Sequence, residues 1–370
     1  MVEVHTIWIM HARIVNKLCF YGIVLFSLLL LSSCGAADDE AEYSEPKFRK
    51  IIKNPKIEYL SEALPFNAVS NFFKYQDRLY LVAFDFEEKS FLHVYDIKTG
   101  EKQYSAVKLG NGPSELRYSA ASHLEEETGK LYFFDVTSTQ ALTFQLGDSI
   151  SFVNKTVTDD SVLIRYQYPS ADGSDISING YLVPHPKSKV RPAPRIIKRD
   201  PYRDTLAVYN QYPAISDQKL LKAMDLSMSV SLSPDRKHLA IAQVLGSILE
   251  VFEISEESIE RCAVKYFVEP TKNADKNTYS TDDTVLGFSD IYLTNKYVYG
   301  CYDGKNYGSS PQSEHFNSIA VFDFDGDPVR LYELGMRVRN LCVDESAKKI
   351  YCILQSANED MRLASIDIVN

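Results

Sequence analysis

The sequence predicts an all-β fold, a six-bladed β-propeller whose ring is closed by an N-terminal strand in the last blade. Three observations support this prediction. Short runs rich in Val, Ile, Tyr and Phe alternate with polar turns, and residues 217–224 form one short segment that favours a helical turn. A strand-and-turn element recurs at the spacing of propeller blades. The chain also ends one strand short of a complete last blade.

The recurring element is an apolar strand followed by an acidic or polar residue and a turn. Its copies end at Asp96, Gln145, Glu253, Asp323 and Asp367, which are 49, 108, 70 and 44 residues apart. The step of 108 covers two units, so we expect a degenerate copy near residue 199 and six units in all. The step of 70 needs insertions, which the polar stretches 271–283 and 304–317 are long enough to supply.

Ring closure accounts for the missing strand. An open ring would leave an unpaired strand edge, and propellers avoid such edges by closing. Residues 56–64 (KIEYLSEAL) precede the first blade and can supply the outer strand of the last one. The two ends of the domain would then meet in one blade.

The N-terminus has the features of an export signal. A basic region with His11, Arg13 and Lys17 precedes Leu18–Leu31, a 14-residue apolar run. That run is too short to cross a hydrocarbon core of roughly 30 Å as a helix and suits a signal peptide. The following Leu-Ser-Ser-Cys resembles the lipobox of bacterial lipoproteins. This resemblance implies that residues 1–34 are a signal peptide and that Cys34 carries lipid.

The segment after Cys34 is acidic and lacks apolar periodicity, so residues 35–54 are interpreted as a flexible tether to a propeller at 55–370. An acidic run behind a lipidated cysteine resembles a surface-export signal, and a plain solvated spacer explains it equally well. We therefore expect a lipid anchor in the outer membrane, facing the periplasm or the outside. The net charge of −10 argues against nucleic acid as a partner. We expect a monomer without a cofactor.

The cysteines of the mature chain leave two alternatives open. None of Cys262, Cys301, Cys342 and Cys352 forms a Cys-x-x-Cys motif for metal or redox chemistry. Cys342 and Cys352 flank a predicted hairpin, which permits a cross-strand disulfide outside the cytoplasm. Buried free thiols are an equally good interpretation, because cysteine is among the most buried residue types.

Three stretches carry a family resemblance. They are GNGPSE at Gly110–Glu115, LSPDRKHL at Leu232–Leu239, and the run Tyr297–Glu333. With them the mature chain resembles the TolB-like six-bladed propeller lipoproteins of Bacteroidetes over essentially its whole length. The resemblance implies the fold and an envelope location but no reaction. Asp303 departs from the pattern, which has a small polar residue there, and the third blade is divergent.

Each stretch of the sequence that resembles a catalytic or metal-binding motif is better explained as a turn. Gly110–Glu115 lacks the Gly-Lys-Ser/Thr ending of a phosphate loop, so we interpret it as a turn in which Glu115 accepts backbone N–H bonds. Asp323–Asp327 resembles part of a calcium loop but runs directly into a strand, and Ser233–Asp235 also indicates a turn. No Gly-x-Ser-x-Gly elbow and no metal-spaced histidine pair is present. We predict no catalytic residue and no metal, although a site built across blades would escape this test.

One segment stands out by charge. Residues 187–203 carry a single acid, Asp200, and seven bases: Lys187, Lys189, Arg191, Arg195, Lys198, Arg199 and Arg203. They are candidate binding residues for an acidic protein, an anionic glycan or a lipid headgroup, and a solvated outer strand of the third blade is the alternative. We therefore expect a non-catalytic protein-interaction or scaffolding module. Binding of a glycan or small ligand at the propeller axis is the alternative, and a hydrolase or lyase with a cross-blade site ranks third.

Overall fold

The structure is a computed structural model, and it describes the propeller and the segment that leads into it. The described residues are 41–118, 121–135, 140–157, 164–170, 172–180, 193–215, 217–225, 227–270, 272–273, 278–279, 284–305, 315–357 and 360–369. Cys34 and the predicted signal peptide lie outside them. In the described part, no helix has the length and apolar character needed to span a membrane.

The first three blades are four-stranded antiparallel sheets. Blade 1 contains β3 (Asn71–Tyr75), β4 (Arg78–Asp85), β5 (Ser90–Asp96) and β6 (Lys102–Lys108). Blade 2 contains β7 (Ala121–Glu125), β8 (Lys130–Asp135), β9 (Gln140–Gln145) and β10 (Ser151–Val157). Blade 3 contains β11 (Ile164–Pro169), β12 (Asp175–Asn179), β13 (Ile196–Arg199) and β14 (Thr205–Tyr209).

The last three blades follow the same order. Two strands from the N-terminus join them, β1 (Lys50–Lys53) in blade 5 and β2 (Ile57–Tyr59) in blade 6. Blade 4 contains β15 (Met228–Leu232), β16 (His238–Gln243), β17 (Ile248–Ile254) and β18 (Ile259–Tyr266). Blade 5 contains β21 (Phe288–Leu293), β22 (Val298–Tyr302), β23 (Ser318–Phe322) and β24 (Pro328–Glu333). Blade 6 contains β25 (Arg337–Asp344), β26 (Lys349–Gln355) and β27 (Met361–Asp367). Outside the blades lie a helix, α1 (Gln218–Asp225), and a short ribbon of β19 (Lys272–Asn273) and β20 (Thr278–Tyr279).

The core is a series of apolar layers between adjacent blades. Middle strands such as β22 are buried at every position, because both faces of a blade pack against its neighbours. One layer joins Tyr299 of blade 5 to Ile350 of blade 6. Another joins Ile353 of blade 6 to Leu79 of blade 1, so the apolar contacts also cross the point where the ring closes. The prediction of an all-β six-bladed propeller is confirmed.

The N-terminal strand closes the ring as predicted. β2 pairs antiparallel with β27, with Ile57 opposite Ile366, and completes the four strands of blade 6. The structure differs from the sequence interpretation of residues 35–54 as tether. β1 pairs in parallel with β24 and covers the outer edge of blade 5, and Tyr43 bridges to Tyr266 of blade 4. Residues 43–53 therefore form a strap across two blades, because the outer strand edges there accept a partner.

The predicted repeat matches the third strand of each blade. β13 ends at Arg199, the position at which a degenerate copy was expected. The copy is degenerate because Arg199 replaces the usual acidic or polar residue and faces the buried Asp175 instead. The predicted helical turn at residues 217–224 is also present, as α1.

The hairpin register excludes the cross-strand disulfide. Cys342 lies opposite Tyr351, whereas Cys352 lies opposite Leu341. Neighbouring positions on a strand point to opposite faces of the sheet, so the two thiols enter different apolar layers. The four cysteines of the described chain are free, and Cys301, Cys342 and Cys352 are buried. The second alternative, buried thiols, holds for these three.

The inner strands present an unpaired edge to the propeller axis, and side chains of neighbouring blades satisfy part of it. The hydroxyls of Tyr166 and Tyr168 donate to the carbonyl oxygens of Met228 (2.8 Å) and Val230 (2.9 Å) on the next blade. One blade further on, the hydroxyl oxygens of Ser229 and Ser231 accept from the amides of Ile291 (3.2 Å) and Leu293 (2.9 Å). These bonds matter because buried backbone groups need partners. We call them the axial hydrogen bonds.

Removing the closing strand tests the ring. We expect deletion of residues 35–59 to lower the melting temperature by roughly 10 °C, because the β27 edge is exposed and several kcal/mol of packing is lost. Deletion of residues 35–41 alone leaves β1 and β2 in place and serves as the control. Differential scanning calorimetry measures both. Equal melting temperatures for the two deletions would contradict closure by this strand.

Candidate functional site

A pocket of about 320 Å³ lies on the propeller axis. It is formed where the inner strands of all six blades converge, so no single segment of the sequence encodes it. Each blade contributes polar lining residues, among them Asn71, Ser122, Tyr166, Ser229, Asp290 and Asn340. A pocket with convergent polar groups at such a junction is the usual place for a ligand site.

Asp290 is the acidic residue at the centre of this lining. It lies deep in the molecule and is partly exposed to the pocket. Its Oδ2 accepts hydrogen bonds from Asn340 Nδ2 (3.3 Å) and from the amide of Leu341 (3.2 Å), both on blade 6. Its Oδ1 accepts from Ser229 Oγ of blade 4 at 3.5 Å. In the described chain these donors are all uncharged, and no lysine or arginine pairs with this carboxylate.

The pKa of Asp290 is raised to about 7, chiefly because burial penalises the charged form, and its hydrogen bonds oppose that effect only in part. The titratable groups nearest to it do not charge near neutral pH. Burial raises the pKa values of Tyr166 and Cys301, and it lowers the pKa of His123, another lining residue, to about 3. The raised pKa of Asp290 therefore places its change of charge near pH 7.

Charged groups at the other end of the inner strands are paired. Tyr292 donates a hydrogen bond to Glu126 Oε1 at 2.6 Å, and Lys74 pairs with Asp344 at 2.6 Å. Lys74 holds the pKa of Asp344 at about 2 through its hydrogen bond and charge, against the opposing effect of burial. These contacts link blades 1, 2, 5 and 6. The charges of Lys74 and Asp344 neutralise each other, whereas Glu126 has a hydroxyl donor and burial raises its pKa.

The predicted basic segment is divided by the structure. Lys187, Lys189 and Arg191 lie outside the described residues. Arg195 is 3% exposed and forms a two-pronged ion pair with Glu250, which is 0% exposed, at 2.9 and 2.5 Å. This pair joins blade 3 to blade 4, so the charge of Arg195 is used inside the fold.

The remaining bases of the segment have partners on the same two blades. Lys198 donates to the carbonyl oxygens of Ser255 (2.6 Å) and Glu256 (3.2 Å). Arg199 and the half-exposed Arg203 lie 3.8 and 3.3 Å from the carboxylate of Asp175. The structure therefore does not gather these side chains into one open basic surface, and their role in binding a partner stays a prediction.

One group of metal-ligand types occurs in the described chain, formed by Asp85, Glu88 and His93. Its donor atoms are already engaged. Both ring nitrogens of His93 have partners, Ser105 Oγ at 2.8 Å and the carbonyl of Ala83 at 3.1 Å. Asp85 accepts two backbone amides, and Glu88 pairs with Lys102, whose hydrogen bond lowers its pKa to about 2. This geometry stabilises a hairpin.

The local motifs act as turns, as predicted. Glu115 accepts the amide of Gly112 at 2.7 Å, and Asp323 accepts the amide of Asp327 at 2.8 Å. Asp303, which departs from the family pattern, also has a structural role. Its Oδ2 lies 2.5 Å from Nδ1 of His315, and both side chains are fully buried, so the acid is retained together with its partner.

Sequence reasoning missed Asp290 as a functional residue. It belongs to no motif, and its partners Ser229 and Asn340 are about 50 to 60 positions away along the chain. One signal was available in the sequence: Asp290 lies inside the largely apolar stretch LGFSDIYL, away from any turn residue that it could cap. An acid inside a strand needs a partner or a function.

Comparisons with known proteins agree with this architecture. A family model described as "TolB-like 6-blade propeller-like" matches residues 72–346, most of the chain. A protein of Bacteroides fragilis described as exported has a structure with a TM-score of 0.52 and 11% identity, over 85% of this chain and 98% of that one. A member of the DUF4221 family from Bacteroides vulgatus gives 0.52 and 11%, over 89% and 98%. No curated protein matches.

The ion pair of Arg195 yields a stability prediction. Arg195→Gln should lower the free energy of unfolding by about 3–5 kcal/mol, because it leaves Glu250 buried with only Arg261 as a charged partner. Arg203→Gln removes the same charge from a half-exposed site and should cost less than about 1 kcal/mol. Urea unfolding followed by circular dichroism measures both. Similar losses for the two variants would contradict the buried pairing.

The raised pKa of Asp290 predicts a pH dependence. Between about pH 4 and 7 the unfolded chain ionises this carboxyl while the folded protein keeps it protonated. Its contribution to stability is therefore full below pH 4, falls as pH rises, and is lost above 7, by roughly 2–4 kcal/mol in total. Asp290→Asn should remove this slope from urea unfolding curves. Asp344→Asn is the control, since that group titrates near pH 2. Parallel wild-type and Asp290→Asn profiles between pH 4.5 and 8 would refute the assignment.

Proposed function

The chain belongs to the TolB-like 6-blade propeller-like family, and on that premise we propose that it is a lipid-anchored envelope propeller that binds a small polar ligand in its axial pocket. The observation that carries the proposal is the state of Asp290. Two other buried acids of the described chain pair with a cation, Glu250 with Arg195 and Asp225 with Arg165 at 3.0 Å. Asp290 has neutral donors alone and faces a pocket. A carboxylate kept in this condition is poised for a ligand.

The lining favours binding over catalysis. Acid–base or nucleophilic chemistry needs a second group in hydrogen-bond reach of the first. In the described lining, Asp290 has no hydrogen bond to a histidine or to another carboxylate. We therefore propose a protein that holds its ligand unchanged.

The strap at the N-terminus supports a short anchor. The stretch from Cys34 to Tyr43 spans at most about 30 Å even when fully extended. Tyr43 is fixed to blade 4 by its bridge to Tyr266 and by an edge-on ring contact at 5.6 Å between centroids. In the proposed protein, lipid on Cys34 would tether the domain to the membrane through this short stretch of chain.

A second function, docking of a protein partner, is favoured by the outer edge of blade 3. Tyr202 is 87% exposed, and Leu206 and Val208 on the edge strand β14 are 42% and 46% exposed. An exposed apolar edge strand is a ready template for pairing with another chain. Lys198 and Arg203 beside it would favour an acidic partner, in line with a scaffolding role in the envelope.

A thermal-shift panel tests the ligand site. The panel contains sugars, carboxylates, amino acids and amines, applied to the wild type, to Asp290→Asn and to the surface control Asp148→Asn. We expect at least one class to raise the melting temperature by several degrees in the wild type and the control but not in Asp290→Asn. No shift in the wild type, or equal shifts in all three proteins, would overturn the proposal.

Cross-linking and pull-down from intact envelopes tests the docking surface. The bait is the lipidated wild type, beside a variant with Lys198→Gln, Tyr202→Ser and Arg203→Gln that leaves the buried Arg195 intact. We expect one envelope protein to be recovered with the wild type and lost with the variant. The docking function is excluded if the wild type enriches no protein over a mock sample.

A further inference from the structure

We propose that the group recognised at Asp290 is a primary ammonium ion carried by a small molecule. The proposal rests on the proposed function and names its ligand class. It depends on two acceptor atoms from different blades and on the charge that the fold leaves unbalanced beside them.

The first acceptor is Oδ1 of Asp290. The two shorter hydrogen bonds of this carboxylate go to Oδ2, from Asn340 Nδ2 and from the Leu341 amide. Oδ1 has the long contact to Ser229 Oγ at 3.5 Å. Ser229 Oγ in turn accepts from the Ile291 amide, so this hydroxyl also serves an axial hydrogen bond. Oδ1 therefore retains most of its capacity to accept from a ligand.

The second acceptor is Oδ1 of Asn340. This residue is 5% exposed, and its side-chain oxygen has no hydrogen-bond partner in the described chain. A buried amide oxygen without a hydrogen-bond partner destabilises the fold, so a bound donor would stabilise it. Because Asn340 Nδ2 already contacts Asp290, the two free acceptors belong to one pair of touching side chains.

The unbalanced charge of Asp290 favours an ammonium ion over other hydrogen-bond donors. A neutral hydroxyl could satisfy the acceptors but would leave the ionised carboxylate of Asp290 without a counter-charge in a buried setting, which is costly. An anion would be repelled. A protonated amine donates three hydrogen bonds from one compact charge, which matches the two acceptors and leaves one N–H for water or for the rest of the ligand.

A divalent metal fits this place less well. Calcium takes six to eight oxygen ligands, and magnesium requires a near-octahedral set. In the described lining, Asp290 and Asn340 offer one carboxylate and one amide oxygen. The group of metal-ligand types found in the described chain, Asp85 with Glu88 and His93, does not include Asp290.

The titratable groups that interact with Asp290 are uncharged at neutral pH. Tyr166 of blade 3, Cys301 of blade 5 and Cys342 of blade 6 have raised pKa values and stay neutral at pH 7, as does Tyr168. The cations in the lining are Lys74 and Arg236 at one end and two arginines of blade 6, Arg337 over the ring of Phe316 and Arg339 bonded to Gln355. The acids of the lining are Asp290, Glu125 and Glu126, and burial raises the pKa of Glu126 as well, so a pH effect is assigned to Asp290 only if Asp290→Asn removes it.

Isothermal titration calorimetry of the full mature chain tests the proposal with n-butylamine, n-butanol as its neutral isostere, glucose and CaCl₂. We expect n-butylamine to bind at pH 7.5 and n-butanol to bind at least ten-fold more weakly. Affinity for the amine should fall about ten-fold or more at pH 5.5, where Asp290 is protonated, and binding should release protons. Asp290→Asn and Asn340→Leu should each weaken amine binding at least ten-fold, while Asp148→Asn should not.

The possible outcomes distinguish failure of the ammonium assignment from failure of the proposed axial ligand site. Equal binding of n-butanol and n-butylamine, or calcium binding that depends on Asp290, overturns the ammonium assignment. Glucose binding that Asp290→Asn abolishes, without amine binding, also overturns it and leaves the axial ligand site standing. If circular dichroism shows Asn340→Leu to be misfolded, Asp290→Asn and the pH dependence decide alone.

Discussion

The unpaired inner edge of the blades is the constraint on which the axial site depends. Six inner strands meet at the axis, and none of them has a further strand to pair with on that side. The hydroxyls of Tyr166 and Tyr168 donate to backbone carbonyl oxygens of the next blade. The hydroxyl oxygens of Ser229 and Ser231 accept from backbone amides of the blade after that. These side chains satisfy backbone groups of the neighbouring blade, and they also line the pocket.

Asp290 has the same structural role as those hydroxyls with a different chemical group. It accepts the Leu341 amide of blade 6 just as Ser229 accepts the Ile291 amide of blade 5. A hydroxyl there would be electrically neutral at any pH, whereas a carboxylate brings a charge that its surroundings do not balance. In the function proposed above, one residue serves both the structure and the binding of a ligand, and the groups that donate hydrogen bonds to it are polar and uncharged.

The sequence predicted what depends on local pattern and failed where blades come together. The third strand of blade 3 was placed near residue 199 by spacing alone, although its sequence is degenerate, because blade length is set by the fold. The strap at residues 43–53 was missed, since its pairing with β24 depends on an edge encoded 280 residues later. Arg195 was grouped with a basic surface because its partner Glu250 lies 55 residues later in the chain, on the next blade. Asp290 was missed for the same reason.

A direct titration of the Asp290 carboxyl tests the central claim most sharply. Carboxyl ¹³C chemical shifts of aspartate-labelled protein would be followed from pH 4 to 9, with Asp290→Asn to assign the signal. The account predicts one aspartate that titrates near pH 7 and shifts to a lower pKa when n-butylamine is added. An Asp290 signal that titrates near pH 4 in the free protein would contradict it, because the carboxylate would then already be balanced by its surroundings.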